Sequence, residues 1–143
     1  MLKSALIGAT VALWAAVAST GVAAQTLSIS PTKLEVPAPS LQTAMVVKAS
    51  GKETSVIQLR VMAWKEGTPP DRLKATRDVV ISPPTTKLRP GEEVTLRVVR
   101  VKKRAVRGRE CYRVLIDRLP GVPKADEAVR LQVRHSVPLC FAG

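Results

Sequence analysis

The stretch Glu127–Phe141, EAVRLQVRHSVPLCF, carries the clearest pattern in this sequence of 143 residues. Every second position is apolar or is filled by histidine: Val129, Leu131, Val133, His135, Val137, Leu139 and Phe141. The positions between them, from Arg130 to Ser136, are polar. A period of two over this length predicts a long β-strand with one face toward solvent. Two interpretations follow. The segment is either an ordinary core strand or a strand whose row of apolar side chains partly packs into another protein.

Outward from this stretch, the chain consists of short alternating segments separated by proline and glycine turns. The predicted strands are Leu27–Val36, Thr43–Ala49, Val56–Trp64, Asp78–Ser82, Glu93–Val101, Cys111–Leu119 and 127–141. Pro31 interrupts the first strand and marks it as an edge strand or one that switches sheets. Leu88–Gly91 (LRPG) predicts a tight turn. Seven strands at this spacing indicate an all-β, immunoglobulin-like sandwich.

The first 24 residues have the organisation of a secretory signal peptide. Lys3 precedes an apolar run from Ala5 to Val17, and small residues lead up to Ala24. The run is too short to span a bilayer comfortably. We therefore expect cleavage after Ala24, export to the periplasm and one domain over residues 25–143.

The chain is strongly basic, with 23 Lys and Arg against 11 Asp and Glu. Loss of Lys3 with the signal peptide lowers the formal net charge from +12 to +11. Aromatic residues make up only 3% of the chain, so the basic residues are not accompanied by aromatic side chains on which the bases of a nucleic acid could stack. The charge favours attraction to acidic partners and surfaces, and no nucleic-acid partner or stable membrane insertion is expected.

Five stretches together resemble a known family. ISPTKLEV (29–36), VIQLRVMAW (56–64), ISPPTTKLRPGEEVTLRV (81–98), ECYRVLIDRLP (110–120) and VRLQVRHSVPLCF (129–141) occur in the order and spacing of the N-terminal domain of the PapD-like periplasmic pilus-assembly chaperones. The resemblance covers about Leu27 to Phe141. It implies an immunoglobulin-like fold and donor-strand complementation of a pilus subunit.

In such a chaperone, the seventh strand completes the unfinished sandwich of a pilus subunit. The resemblance thus implies a donor ridge formed by Val129, Leu131 and Val133, a pilus subunit as partner and an outer-membrane usher as a further one. A seventh strand with a free edge also allows self-association. The family has a second domain and this sequence ends at Gly143, so that domain is expected to be absent. An exported immunoglobulin-like binding or scaffolding module, or a truncated inactive chaperone, is the alternative.

The resemblance also implies two cations that anchor the subunit's C-terminal carboxylate. Lys33 occupies the basic position of the first motif, and its alternative role is that of a solvated strand lysine. Arg134 lies on the polar face and is the basic residue nearest the C-terminal half of the seventh strand, although some family members have the cation nearer the strand end, where this chain has Ser136 and Pro138. Arginine and lysine together suit a carboxylate in a partly dry cleft.

A further ion pair is implied between Arg97 on the fifth strand and Glu110 before the sixth. In the family such a pair is structural. The alternative is two exposed charges that contribute little to stability.

The pairing of the last two predicted strands determines whether the two cysteines lie opposite each other. If residues 120–126 turn the chain back, paired positions share a constant index sum, and Cys111 lies opposite Cys140. The same sum places Asp117 opposite Arg134. Facing cysteines in an exported protein predict a disulfide, and some family members join these two strands in this way; two buried free thiols are the alternative.

Catalytic and metal-binding patterns are absent from the sequence. There is no nucleophile elbow and no phosphate-binding glycine loop. His135 is the only histidine, and together with two cysteines it does not form a zinc pattern. The sequence therefore predicts neither an enzyme nor a cofactor or metal site.

Overall fold

The computed structural model describes residues 25–120 and 132–143. The predicted signal peptide, Val129 and Leu131 lie outside these residues. The described strands are β1 (Thr26–Ser30), β2 (Leu34–Pro37), β3 (Gln42–Ser50), β4 (Ser55–Trp64), β5 (Leu73–Ala75), β6 (Val79–Ser82), β7 (Thr85–Leu88), β8 (Glu93–Arg100), β9 (Arg109–Arg118) and β10 (Arg134–Ala142). No helix in this part of the chain has the length and hydrophobicity that a membrane crossing requires.

The strands form two sheets packed face to face. One sheet has the order β1-β3-β8-β6, and the other has the order β2-β10-β9-β4-β5 with β7 also paired to β4. Apolar side chains from both inner faces meet between the sheets, with Leu139 and Phe141 of β10 fully buried. Burial of each such side chain contributes roughly 1.5–3 kcal/mol. The architecture is the predicted immunoglobulin-like sandwich.

The strand count differs from seven for local reasons. The first predicted strand is divided at Pro31: β1 pairs with β3, whereas β2 pairs with β10 in the other sheet. The chain therefore switches sheets at this proline, as one of the two interpretations predicted. Two short strands, β5 and β7, were missed because three- and four-residue segments between prolines give no periodic signal.

The last strand is shorter in the described residues than predicted. It begins at Arg134 instead of Glu127, with Gln132 and Val133 described as non-strand and 127–131 outside the described residues.

The turn at Leu88–Gly91 is confirmed: Glu92 N donates to Arg89 O at 3.0 Å, and Gly91 has φ +80°. Glycine adopts this left-handed conformation without a steric penalty.

Candidate functional site

One half of β10 has a free edge in the described structure. On one side β10 pairs with β9 along its whole length, from Arg134 opposite Asp117 to Ala142 opposite Arg109. On the other side β2 covers only Leu139–Ala142. Within residues 25–120 and 132–143, no strand pairs with the second side of Arg134–Pro138. Unpaired strand edges are sites for pairing with another chain.

The backbone groups at this edge follow from the hydrogen-bond alternation of antiparallel strands. Arg118 N donates to Val133 O at 3.3 Å, so odd-numbered residues of this segment bond to β9. Arg134 and Ser136 therefore direct their N–H and C=O groups toward the free edge. Pro138 also points its nitrogen away from β9, which explains why the sheet tolerates a proline there.

The inner side of the free edge lines a cavity of about 200 Å³. Its walls come from β1 (Thr26 and Leu27), from Arg118, and from Val133 and His135 beside β10. Val133 is 49% exposed, whereas Val137 further along the strand is buried. Of the predicted donor ridge, only Val133 is described, and it lies exposed at the open end. His135 lies at the cavity rim, and the described residues provide no metal-ligand group that includes it.

On the outer face of the same sheet, two arginines bind one carboxylate. Arg134 donates from Nε and Nη2 to Asp117, the latter at 3.1 Å to Oδ2, and Arg60 Nη2 donates to the same Oδ2 at 3.0 Å. Asp117 is buried, while both arginines are about half exposed. Burial raises the pKa of Asp117, but the bonds from Arg134 and Arg60 outweigh it and hold the pKa below its usual value. The predicted proximity of Arg134 and Asp117 is confirmed; Arg60 was missed because β4 joins this sheet by a non-local pairing.

A third arginine on this face has no acidic partner in the described structure. Arg113 of β9 lies with its guanidinium carbon 4.2 Å from the centroid of the Trp64 ring. Its Nη1 lies 3.4 Å from Ser136 O, and its buried Nε has no hydrogen-bond partner. Sequence reasoning missed this residue because its neighbours are set by sheet order.

Lys33 belongs to a separate ion-pair network. Its Nζ lies 3.1 Å from Glu35 Oε1, and Glu35 also accepts two hydrogen bonds from Arg109, at 2.8 and 2.7 Å. Arg109 Nε donates to Glu66 at 2.7 Å. The hydrogen bonds from Arg109 and Lys33 lower the pKa of Glu35 to about 2.

The structure does not bring the two predicted anchor residues together. Leu34 is level with Leu139, so Lys33 is level with Pro138, four residues beyond Arg134. At about 3.3 Å per residue, the two backbone positions are separated by roughly 13 Å along the strand. Lys33 contacts Glu35, and Arg134 contacts Asp117.

The predicted partner of Glu110 was wrong. Arg100 binds Glu110 through Nε at 3.0 Å and Nη2 at 3.1 Å, whereas Arg97 is exposed on the opposite side of β8. Leu96, Val98 and Arg100 share the buried side of β8, so the alternation places Arg97 outside. That parity was readable in the sequence and identifies Arg100 as the inward cation.

The predicted disulfide between Cys111 and Cys140 is present and joins β9 to β10. Glu66 Oε2 lies 3.2 and 3.3 Å from the two sulfur atoms. These three residues form a group with metal-ligand spacing. Because both sulfurs are disulfide-bonded, they offer no thiolate, and the group does not fit a metal centre.

Residues 26–142 match the sequence profile described as "Pili and flagellar-assembly chaperone, PapD N-terminal domain". No curated protein matches the chain at a significant level.

Solved structures share the fold. A chain in the CsuC–CsuE chaperone–tip adhesion subunit pre-assembly complex, from archaic chaperone–usher Csu pili of Acinetobacter baumannii, matches with a TM-score of 0.69 and 26% identity, over 82% of this chain and 57% of that one. The periplasmic chaperone SfaE matches with a TM-score of 0.66 and 15% identity, over 82% and 57%. A chain in the complex of Salmonella enterica SafA pilin with the SafB chaperone matches with a TM-score of 0.65 and 18% identity, over 82% and 54%.

The latter two likenesses show the fold alone, and the chain spans little more than half the length of each of these three solved chains. The family profile, in contrast, covers nearly all the described residues, including β10 and its two neighbours in the sheet, β2 and β9. On that match, the chain belongs to the pili and flagellar-assembly chaperone family and corresponds to its PapD N-terminal domain.

Proposed function

We propose that this chain is a periplasmic chaperone that captures a pilus subunit by pairing the free edge of β10 with an edge strand of the subunit. The observation that carries the proposal is the bare segment Arg134–Pro138, which no strand covers on its second side among the described residues. Family membership supports a role in pilus assembly. The predicted export signal, with cleavage after Ala24, supports a periplasmic location.

The free edge of β10 suits this role because it offers a partner strand both main-chain hydrogen-bonding groups and an exposed apolar side chain. Arg134 and Ser136 offer main-chain donors and acceptors at alternate positions, which give a partner strand affinity without fixing its sequence. Val133 is exposed next to them and would bury in the subunit. Val129 and Leu131 extend the same alternation in the sequence, and each buried side chain contributes roughly 1.5–3 kcal/mol before ordering costs.

The cations of the outer face suit a negatively charged end of the subunit. Lys33, Arg60, Arg113 and Arg134 outnumber the acidic groups that they contact, Glu35 and Asp117. A subunit's C-terminal carboxylate is the predicted ligand of this face, with Lys33 as one anchor. An outer-membrane usher and a second copy of the chain at the β10 edge are the remaining proposed partners.

A proline placed at the free edge tests the proposal. Ser136→Pro removes an N–H that points to the free edge but leaves the bonds to β9, and Pro138 shows that this strand accepts a proline at such a position. Ser136→Ala is the matched control, because it keeps the N–H and loses only the hydroxyl. Each variant is co-expressed in the periplasm with a pilus subunit encoded near this chain, and the copurified subunit is quantified.

We expect wild type and Ser136→Ala to retain the subunit, and Ser136→Pro to lose it at least tenfold with little change in thermal stability. Full capture by Ser136→Pro would rule out pairing at this edge. A subunit that aggregates equally with and without the wild-type chain would favour the binding or scaffolding module instead.

A further inference from the structure

Three exposed apolar side chains lie at one end of the four-stranded sheet. Leu41, Val80 and Val101 are 45%, 47% and 50% exposed, and among the described large apolar residues only Val133, beside β10, is exposed to this degree. Val80 pairs directly with Val99 of β8, so these two side chains share the outer face with Val101, two residues farther on. Leu41 O accepts a hydrogen bond from the last residue of β8, which places Leu41 at the same end. Single exposed apolar side chains are ordinary, whereas several together indicate a contact surface.

The loop between β8 and β9, which begins at this end, is basic and has no acidic residue. Its exposed cations Lys103, Arg104 and Arg107 form no side-chain hydrogen bond or ion pair within the part of the chain that the structure describes. Arg97 is also exposed, on the outer face of β8 about 7 Å before Val99. Positive charges without described partners therefore lie on both sides of the apolar side chains.

The start of this loop is held against the sheet. Asp78, which precedes β6, accepts a hydrogen bond through its main-chain oxygen from Val101 N at 2.8 Å. Lys103 and Arg104 follow shortly after and line, together with Leu41, a cavity of about 410 Å³. The two free cations are thus placed next to the exposed apolar side chains by the main chain of the sheet end.

This combination matches the surface of an anionic bilayer. Small apolar side chains enter the boundary between the headgroups and the acyl chains, while lysine and arginine remain at the headgroup phosphates. The formal net charge of +12 adds long-range attraction to such a surface. No described partner orients Lys103, Arg104 or Arg107, which suits a continuous array of headgroups better than the fixed geometry of one acidic protein.

We propose that the end of the four-stranded sheet, with Leu41, Val80, Val101 and the loop between β8 and β9, docks reversibly on an anionic phospholipid surface. The contact is peripheral, and no segment crosses the bilayer. The inference is independent of subunit capture, because the free edge of β10 belongs to the other sheet. Docking and capture therefore use different surfaces of the domain.

The test measures binding of the chain to vesicles by cosedimentation at low and at high salt. The vesicles contain phosphatidylcholine alone, or phosphatidylcholine with one third phosphatidylglycerol. The chain is purified from the periplasm and checked by mass for the loss of residues 1–24, so that this apolar segment does not contribute. Soluble polyglutamate serves as an acidic polymer without apolar surface.

Three double variants are compared with wild type, and thermal unfolding of each checks the fold. They are Lys103→Gln with Arg104→Gln, Val80→Thr with Val101→Thr, and Lys48→Gln with Lys52→Gln. The last is the matched control, because it removes the same charge at the opposite end of the same sheet. Threonine keeps the β-branched shape of valine and its preference for strands, and replaces a methyl group with a hydroxyl.

At low salt we expect wild type to bind the anionic vesicles at least about tenfold more tightly than phosphatidylcholine, and high salt to reduce that ratio. Lys103→Gln with Arg104→Gln should weaken this binding about 10- to 25-fold, since each basic residue near an anionic surface contributes about fivefold. The valine double variant should weaken it roughly fivefold at either salt concentration. The control pair should change it less than about twofold.

Three results would overturn the inference. One is equal binding to the two kinds of vesicle, or binding to neither. Another is an equal loss in Lys48→Gln with Lys52→Gln, because net charge alone would then attract the chain. The third is binding of polyglutamate through Lys103 and Arg104 without binding of vesicles, which would assign this surface to an acidic protein.

Discussion

Arg100 and Glu110 form a two-point ion pair between β8 and β9, with Nε donating to Oε2 at 3.0 Å and Nη2 to Oε1 at 3.1 Å. The arginine side chain is 1% exposed and the glutamate 21% exposed. Arg100 Nη1 also donates to Lys102 O. Glu110 is therefore the one carboxylate that contacts a fully buried guanidinium in the described structure.

Removal of the charge on Glu110 should destabilise the fold. Glu110→Gln leaves a buried arginine without its counter-charge, and we expect the free energy of unfolding to fall by about 2–3 kcal/mol. Arg97→Gln is the matched control: Arg97 is exposed, so its loss should change that free energy by less than about 0.5 kcal/mol. Urea denaturation of both variants measures the difference. Equal effects would contradict the assignment of Arg100 as the partner of Glu110.

We expect the acid stability of the domain to depend on two carboxylates whose pKa values are lowered, those of Asp117 and Glu110. Burial raises the pKa of Asp117 and Glu110, but bonds from their arginines lower it below the ordinary values of 3.8 and 4.5. A lowered folded-state pKa means that the stabilisation is fully present above the ordinary pKa and is lost as the pH falls through the folded-state pKa. Stability should therefore decrease as the pH falls below about 4.5.

Asp117→Asn tests one of these carboxylates. At pH 7 we expect a loss of about 1–3 kcal/mol, because Arg134 and Arg60 lose their acceptor charge. Below pH 4 the gap between variant and wild type should narrow, since protonation removes the same charge in the wild type. Asp71→Asn, at an exposed residue, serves as control. Melting temperatures between pH 7 and pH 2 measure the effect, and a gap that is constant with pH would contradict it.

The only tyrosine in the sequence, Tyr112, reports on the core at alkaline pH. Burial raises its pKa from 10.0 to about 12, with the Glu110 charge adding to the effect. A raised folded-state pKa means that this stabilisation is present below pH 10 and is lost as the pH rises toward 12. Tyrosinate absorbance should therefore titrate near pH 12 in the folded chain and near pH 10 in urea. A midpoint near 10 in the folded chain would show that the hydroxyl is not buried.

The pairs that were predicted correctly lie on two strands that are consecutive in the sequence, β9 and β10. Cys111–Cys140 and Asp117–Arg134 both follow from one index sum, because two consecutive antiparallel strands have a register that is fixed by their turn. The pairing of β2 with β10 is parallel and links the two ends of the domain, so no such sum applies. For this reason the level of Lys33 relative to Arg134 was not predictable.

The order of the strands in the sheet explains why the sequence analysis did not identify Arg60 and Arg113 as site residues. Arg60 reaches Asp117, and Trp64 reaches Arg113, only because β4 lies next to β9. The strands between β4 and β9 in the sequence do not separate the two in space: β6 and β8 lie in the other sheet, and β5 and β7 pair with β4. The alternation of apolar and polar residues within a strand does not indicate which strands become neighbours in a sheet. Arg100 differs from these residues, since its inward position follows from the alternation of β8 alone.

The disulfide between β9 and β10 should stabilise the domain by restricting the unfolded chain. The cysteines are 29 residues apart, a loop for which closure contributes about 3–4 kcal/mol. Double replacement, Cys111→Ala with Cys140→Ala, should therefore lower the free energy of unfolding by about that amount. Urea denaturation checks this, and a loss below about 1 kcal/mol would show that the unfolded chain gains little freedom.

Glu66 should also slow the reduction of this disulfide. Its Oε2 lies 3.2 and 3.3 Å from the two sulfurs, so its negative charge repels an approaching thiolate. We expect Glu66→Gln to be reduced by dithiothreitol roughly two- to fivefold faster than wild type at low salt, and the difference to shrink as salt screens the charge. Glu93→Gln removes an exposed charge from the other sheet and should leave the rate unchanged. Equal reduction rates for Glu66→Gln and Glu93→Gln would show that the carboxylate beside the sulfurs does not protect them.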